Sequence, residues 1–187
     1  AGNVSDKSTD FVLTMDFTSP DSSLLAITGV NDAVGAYTGN IESGNTTDDS
    51  RPTISGTGTS GDTIIVYTKD SSGSHEIGRT EVDFEGKWSL QPATALKEGE
   101  NEFTAVEIDP VGNITDPSDK YSITLDTSIP EVPVLESVND NVGSITGDLN
   151  KGDFTDDNTP TFTGTGAKNG IVTLYNDGVE IGTAKVD

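Results

Sequence analysis

The sequence predicts an all-β fold, and three observations carry that reading. Thr, Val and Ile alternate with polar residues over short runs, the period-two pattern of a strand with one buried face. Clusters of Gly, Asn, Asp and Ser recur at short spacing and read as turns between those runs. No stretch carries the i, i+3, i+4 apolar pattern of an amphipathic helix.

The elements follow in order over residues 18–127. Residues 24–28 form the first expected strand. A long loop over residues 31–51 follows, rich in glycine and acids. The second strand, residues 53–56, is entered through Pro52, whose missing N–H suits a strand's first position. The third spans 63–67 and the fourth 76–82. The fifth, 87–90, comes after the turn Glu85-Gly86. The sixth spans 101–108, and the seventh, 120–125, has apolar residues at alternate positions. Seven short strands of this kind predict a two-sheet immunoglobulin-like β-sandwich. Its expected core is Ile27, Ile54, Ile65, Tyr67, Val82, Trp88, Leu90, Phe103, Val106, Tyr121, Ile123 and Leu125. Trp88 has no disulfide to pack on, because the chain has no cysteine.

The chain also repeats itself. Asn31-Asp32-Ala33-Val34-Gly35 returns as Asn139-Asp140-Asn141-Val142-Gly143, an offset of 139 − 31 = 108. Thr47-Asp48-Asp49-Ser50-Arg51-Pro52 returns as Thr155-Asp156-Asp157-Asn158-Thr159-Pro160, and Gly56-Thr57-Gly58 as Gly164-Thr165-Gly166, at the same offset. A unit of that length is a small domain rather than a solenoid repeat. A second match, Gly2-Asn3-Val4-Ser5-Asp6 with Gly112-Asn113-Ile114-Thr115-Asp116, has an offset of 112 − 2 = 110. The expected organisation is the last strand of a preceding domain in residues 1–17, one whole domain in 18–127, and the first part of a third in 128–187. Strand edges left open at the two ends are expected to pair between copies of the chain. The whole copy has a longer polar tip at residues 68–75 than its counterpart Asn176-Asp177-Gly178-Val179.

Charge excludes some function classes. The net charge is −22, from 32 acids against 10 bases. Phosphate repulsion then disfavours nucleic acid and anionic membrane surfaces. No apolar run is long enough for a membrane-spanning helix. Asp outnumbers Glu 21 to 11, a bias that fits turns and oxygen-ligand cation sites. Catalytic readings are weak. His75 lies beside Ser72 and Ser74, but no orienting acid or oxyanion hole is evident. Glu98, Glu100 and Glu102 read as a solvated face, and Trp88 and the tyrosines as core rather than a sugar platform. Gly56-Thr57-Gly58 reads as a turn, since neither helix nor lysine follows it as in a phosphate loop.

Gly86-Lys87-Trp88-Ser89-Leu90, Ala95-Leu96-Lys97-Glu98-Gly99-Glu100-Asn101, Asp109-Pro110-Val111-Gly112-Asn113 and the linker Leu125-Asp126-Thr127-Ser128-Ile129-Pro130 together carry a resemblance. The chain resembles the bacterial immunoglobulin-like (BIg) repeats of giant type I-secreted non-fimbrial adhesins of enteric bacteria. That resemblance implies tandem seven-stranded sandwiches joined end to end in a rod. It implies a secreted, surface-attached protein that contacts host cells, through their glycans among other partners, and that has calcium within and between neighbouring domains. The linker at Met15-Asp16-Phe17-Thr18-Ser19-Pro20 departs from the pattern, with Phe17 in place of Thr.

Topology locates the acids. In a seven-strand sandwich the chain enters at one end and leaves at the other. Asp32, Asp48, Asp49 and Asp126 should meet at the outgoing end; Asp62, Asp109 and Asn113 should meet at the incoming end, beside Asp16. Asp140, Asp156 and Asp157 repeat the outgoing set. Converging carboxylates repel unless neutralised, and Ca2+ takes six to eight oxygens from such loops at roughly 2.3–2.6 Å. Magnesium fits less well for want of an octahedral cage, and transition metals for want of cysteine and all but one histidine. The alternative is turn chemistry alone, with Asx hydrogen bonds before a proline.

The function expected on these grounds is a non-enzymatic stalk repeat of an adhesin, made rigid by calcium. The alternative is a module that binds host glycan or protein through its loops, with the tip at 68–75 as the first candidate surface. An accessory domain of a secreted hydrolase is a weaker third.

Overall fold

The computed structural model describes all of residues 1–187. The chain forms two compact units, residues 1–127 and 128–187.

The first unit contains nine strands: β1 (Ala26–Asp32), β2 (Gly39–Ile41), β3 (Thr46–Thr47), β4 (Thr53–Thr57), β5 (Thr63–Asp70), β6 (Gly73–Glu81), β7 (Lys87–Leu90), β8 (Gly99–Ile108) and β9 (Tyr121–Leu125). They make a four-stranded sheet in the order β2-β1-β4-β7 and a five-stranded sheet in the order β3-β9-β8-β5-β6. Leu25, Val30, Ile41, Ile54 and Trp88 meet Ile64, Val66, Ile77, Phe103, Ala105, Ile123 and Leu125 in one buried cluster, closed by Val82 and Leu96. The fold is the expected all-β sandwich.

The region read as a loop over residues 31–51 is partly ordered in sheets. β2 pairs with β1, and β3 pairs in parallel with β9 through Thr46–Thr124 and Thr47–Leu125. The chain therefore crosses from one sheet to the other between β2 and β3. The tip at 68–75 is not a loop either: β5 and β6 extend through it to a two-residue turn at Ser71-Ser72, with Asp70 paired to Gly73. The extra residues lengthen a hairpin.

The expected core needs correction on β5 and β8. Ile64, Val66 and Thr68 point inward on β5, and Phe103, Ala105 and Glu107 are fully buried on β8. Ile65 and Val106 are buried outside the main cluster, opposite each other in register on the outer face. Tyr67 is half-buried. Ile27, Leu90 and Tyr121 pack on the cluster's margin. Trp88 donates its indole N–H to Thr57 O at 2.9 Å. The indole covers Gly56, where a Cβ would lie 2.3 Å from Trp88 Cζ2 and 2.0 Å from Ala26 O.

Residues 1–17, expected as a strand, carry no strand in this chain. A strand needs a neighbouring strand for its backbone N–H and C=O groups, and none pairs with this segment.

The second unit has β10 (Val134–Asp140), β11 (Gly147–Asp148), β12 (Thr161–Thr165), β13 (Ile171–Asn176) and β14 (Val179–Lys185). β10 pairs with β11 and β12, and β13 with β14. β10 and β12 have the bounds of β1 and β4 displaced by 134 − 26 = 108 and 161 − 53 = 108 residues. The irregularity in β1 between Ile27 and Gly29 returns in β10 between Leu135 and Ser137. Residues 128–187 contain no counterparts of β7, β8 and β9, so inner-face positions are open. Phe162, the counterpart of the fully buried Ile54, is 41% exposed.

Candidate cation sites at the ends of the sandwich

At the outgoing end, the last residue of β1 is locked to β3 and the loop that follows. Asp32 is buried; its Oδ1 accepts the Val34 N–H at 2.9 Å and its Oδ2 the Thr47 hydroxyl at 2.6 Å. Asp49, also buried, accepts the Arg51 N–H at 2.8 Å on Oδ1 and the Ala33 N–H at 3.1 Å on Oδ2. The Asp49 N–H donates to Thr47 Oγ1 at 3.0 Å. One threonine hydroxyl thus links both acids. Asp48 is exposed and lies against Gly35, where a Cβ would come within 2.2 Å of its Oδ2. Gly35 has φ +70°, a left-handed backbone conformation that favours glycine, and a side chain there would displace the Asp48 carboxylate. The Asp126 N–H donates to Thr47 O at 2.9 Å, which draws the outgoing segment to the same place. Glu98 accepts both the N–H and the hydroxyl of Thr127.

The second unit rebuilds this arrangement. Asp140 accepts the Val142 N–H at 2.9 Å and the Thr155 hydroxyl at 2.6 Å. Asp157 accepts the Asn141 N–H at 3.2 Å and the Thr159 N–H at 2.8 Å, and its own N–H reaches Thr155 Oγ1 at 3.0 Å. Asp156 lies against Gly143, which has φ +78°. The Thr155 hydroxyl, and after it the Val142 N–H, lower the Asp140 pKa against the opposing effect of burial.

At the incoming end, Asp109 organises its loop. Its Oδ1 accepts the N–H groups of Val111, Gly112 and Asn113 at 3.0, 2.7 and 2.8 Å, and its Oδ2 the Asn113 side-chain amide at 2.7 Å. Burial is the largest single influence on its carboxyl and raises the pKa. The Asn113, Val111 and Gly112 donors together outweigh it, so the net direction is down. Asn113 Nδ2 also donates to Asp16 O at 3.3 Å, and Asp16 Oδ1 accepts the Thr18 N–H at 2.9 Å. Asp16, Asp109 and Asn113 are therefore together, with Asp16 contributing its carbonyl. Asp62 is level with Asp109, because the last paired residues of their strands are Thr63 and Ile108. Asp62 keeps different company: its carboxyl faces that of Glu107. Burial, the largest cause, pushes the Glu107 carboxyl up with Asp62 as a further cause, while the Thr59 N–H hydrogen bond opposes it.

All of these donors are oxygens, which suits a hard cation. No base forms an ion pair with Asp32, Asp48, Asp49, Asp109, Asp140, Asp156 or Asp157. The ion pairs are His75–Asp70, Arg79–Glu76, Lys87–Glu85 and Lys120–Glu102, all on other residues. No three acidic or histidine side chains are gathered closely enough to enclose an ion as they stand. Asp32 and Asp49 each direct both carboxylate oxygens to protein donors, so the turn chemistry is present whatever else binds there. Sequence reasoning missed Thr47, Thr155, Glu98 and Glu107. The threonines were visible as members of the repeated Thr-Asp-Asp, whereas Glu107 gave no signal beyond an acid at an inward strand position.

Residues 24–127 match the bacterial Ig-like domain family. The chain belongs to that family. A search of curated proteins gave no match. Bacterial Ig-like domains are typically non-enzymatic and are common in extracellular or surface proteins. The two-sheet sandwich, its margin of Asp-rich loops and the absence of any helix agree with that membership.

Proposed function

We propose that the chain is a spacer of a bacterial surface adhesin, without chemistry of its own, whose joints are stiffened by calcium at the ends of each sandwich. The observation that carries this reading is the duplicated outgoing end. The same acids, threonine and glycine recur in both units with the same hydrogen bonds, and no base forms an ion pair with these acids. Asp126, the residue that leaves the first unit, is tied by its backbone to the Thr47 carbonyl within that cluster. A cation shared between loop and outgoing segment would restrict their angle. Extracellular modules typically hold Ca2+ at roughly 10⁻⁴–10⁻³ M, so the stalk would be stiff outside the cell and looser where calcium is scarce.

Asp48 is the residue to test, because Asp32 and Asp49 are also needed for the fold. Thermal unfolding is followed with calcium and with chelator. Asp48→Asn is expected to leave the chelator midpoint within about 1–2 °C of wild type and to remove much of the calcium-induced rise. At 100 Kd of free calcium, about 10 mM for a site of about 10⁻⁴ M, a single site adds about 2.7 kcal/mol, an easily measured shift. Equal calcium-induced shifts in both proteins would reject Asp48 as a ligand, and no shift in wild type would reject the calcium reading.

A further inference from the structure

The segment that leaves the first unit is held from both sides. In the five-stranded sheet β9 lies between β3 and β8. Its last residue, Leu125, pairs with Thr47 of β3 and with Gly99 of β8. Beyond that pair two further contacts extend the ladder. On the β3 side the Asp126 N–H donates to Thr47 O at 2.9 Å. On the β8 side the residue next to Gly99 is Glu98, and its carboxylate accepts the Thr127 N–H on both oxygens, at 3.3 and 3.4 Å. The Thr127 hydroxyl donates to the same carboxylate. A side chain takes over where the strand pairing ends.

Glu98 is exposed, yet its backbone is fixed from the core. Asn101 is fully buried, and its side-chain amide donates to Lys97 O at 2.8 Å and to Gly99 O at 3.0 Å, the carbonyls on either side of Glu98. The buried Leu96 anchors the same stretch, with its N–H on Ser50 O at 2.8 Å. Gly99 has φ +91°, a left-handed conformation that favours glycine. No base forms an ion pair with Glu98, so its carboxylate is left to Thr127. Holding Asn101 in this way leaves its Oδ1 buried without a partner, which costs free energy. The gain is an acceptor positioned before Thr127 reaches it.

We propose that Glu98 and Thr127, positioned by Asn101, form a clasp that fixes the direction in which the chain leaves the first unit, with no cation required. Hydrogen bonds to a charged acceptor are stronger than neutral ones, and donors from both the backbone and the side chain of one residue restrict both. The function of the clasp rests on the stalk reading: part of the stiffness of a joint then survives chelator. The clasp is also particular to its linker. At the offset of 110 the counterpart of Thr127 is Phe17 (127 − 110 = 17), which is 83% exposed and has no hydroxyl to donate. Joints of one array would therefore differ in stiffness.

The test uses the 187-residue chain with spin labels at Ser89→Cys in the first unit and Lys168→Cys in the second, in chelator. Glu98→Ala and Thr127→Val are expected to broaden the distance distribution, and the two together no further than either alone. Thr127→Ser keeps the hydroxyl and should keep the wild-type width. The Thr127 amide should exchange its hydrogen roughly three- to tenfold faster in Glu98→Ala, the scale of one lost hydrogen bond. Both residues are exposed, so the melting midpoint should stay within about 4 °C of wild type; a merely structural role would lower the midpoint and leave the width alone. Equal widths and equal exchange across the variants would overturn the clasp. Adding calcium separates the two readings. Widths that ignore calcium but respond to Glu98→Ala reject the calcium joint and keep the clasp. Widths that respond to calcium but not to Glu98→Ala do the reverse.

Discussion

Asp32 and Asp48 show how acids of one cluster divide their work. Asp32 is buried and holds Val34 and Thr47, whereas Asp48 is exposed beside Gly35. Replacing Asp32 by alanine leaves the Val34 N–H and the buried Thr47 hydroxyl without their acceptor. Asp32→Ala should lower unfolding free energy by about 1–3 kcal/mol with chelator present, since an unsatisfied buried group costs about that much. Denaturant titration checks it. A change below about 0.5 kcal/mol would mean that solvent replaces the lost acceptor. Repetition made Asp32, Asp48 and Asp49 legible in the sequence. Their separate roles were not legible, because exposure and hydrogen bonding depend on how the loop folds back over Thr47. Glu107 was illegible for a related reason: an acid in a strand is usually on the solvent side, and only its inward position between the sheets makes it unusual.

Among the elements, the strands with clean alternation were readable and the others were not. β9 alternates Tyr121, Ile123 and Leu125, and its inner face is the expected one. β5 carries Ile64, Ile65, Val66 and Tyr67 in succession, so alternation cannot choose a face, and a shift of one residue exchanges the two sets. The structure puts Ile64 and Val66 inside, opposite Glu107 and Ala105 of β8. β2 and β3 were hidden because they are short, rich in Gly, Thr and Asn, and defined by distant partners. The face assignment has a direct consequence. Phe103, fully buried at the centre of β8, should cost about 3–5 kcal/mol when changed to alanine. Tyr67→Ala, on the half-buried outer face, should cost less than half as much. Equilibrium denaturation of both variants compares them, and the reverse order would contradict the register.

On the scale of the whole molecule, the two units differ in closure. The first has both sheets complete around one core, while the second leaves Phe162, Leu135 and Ile171 at 41%, 55% and 67% exposure. Open apolar faces and strand edges favour association. We expect the 187-residue chain to self-associate at high concentration through residues 128–187, giving a sedimentation coefficient that rises with concentration. A constant monomer value would contradict this. Joints between units are where the calcium reading makes its central claim, and the absence of native cysteine makes that claim accessible to site-directed labels. The most direct measurement is the distance distribution between spin labels at Ser71→Cys in the first unit and Lys168→Cys in the second, taken at low concentration with calcium and with chelator. The stalk account predicts a narrow distribution with calcium and a clearly broader one with chelator, and a narrowing weakened by Asp48→Asn. Distributions of equal breadth in the two conditions would contradict it.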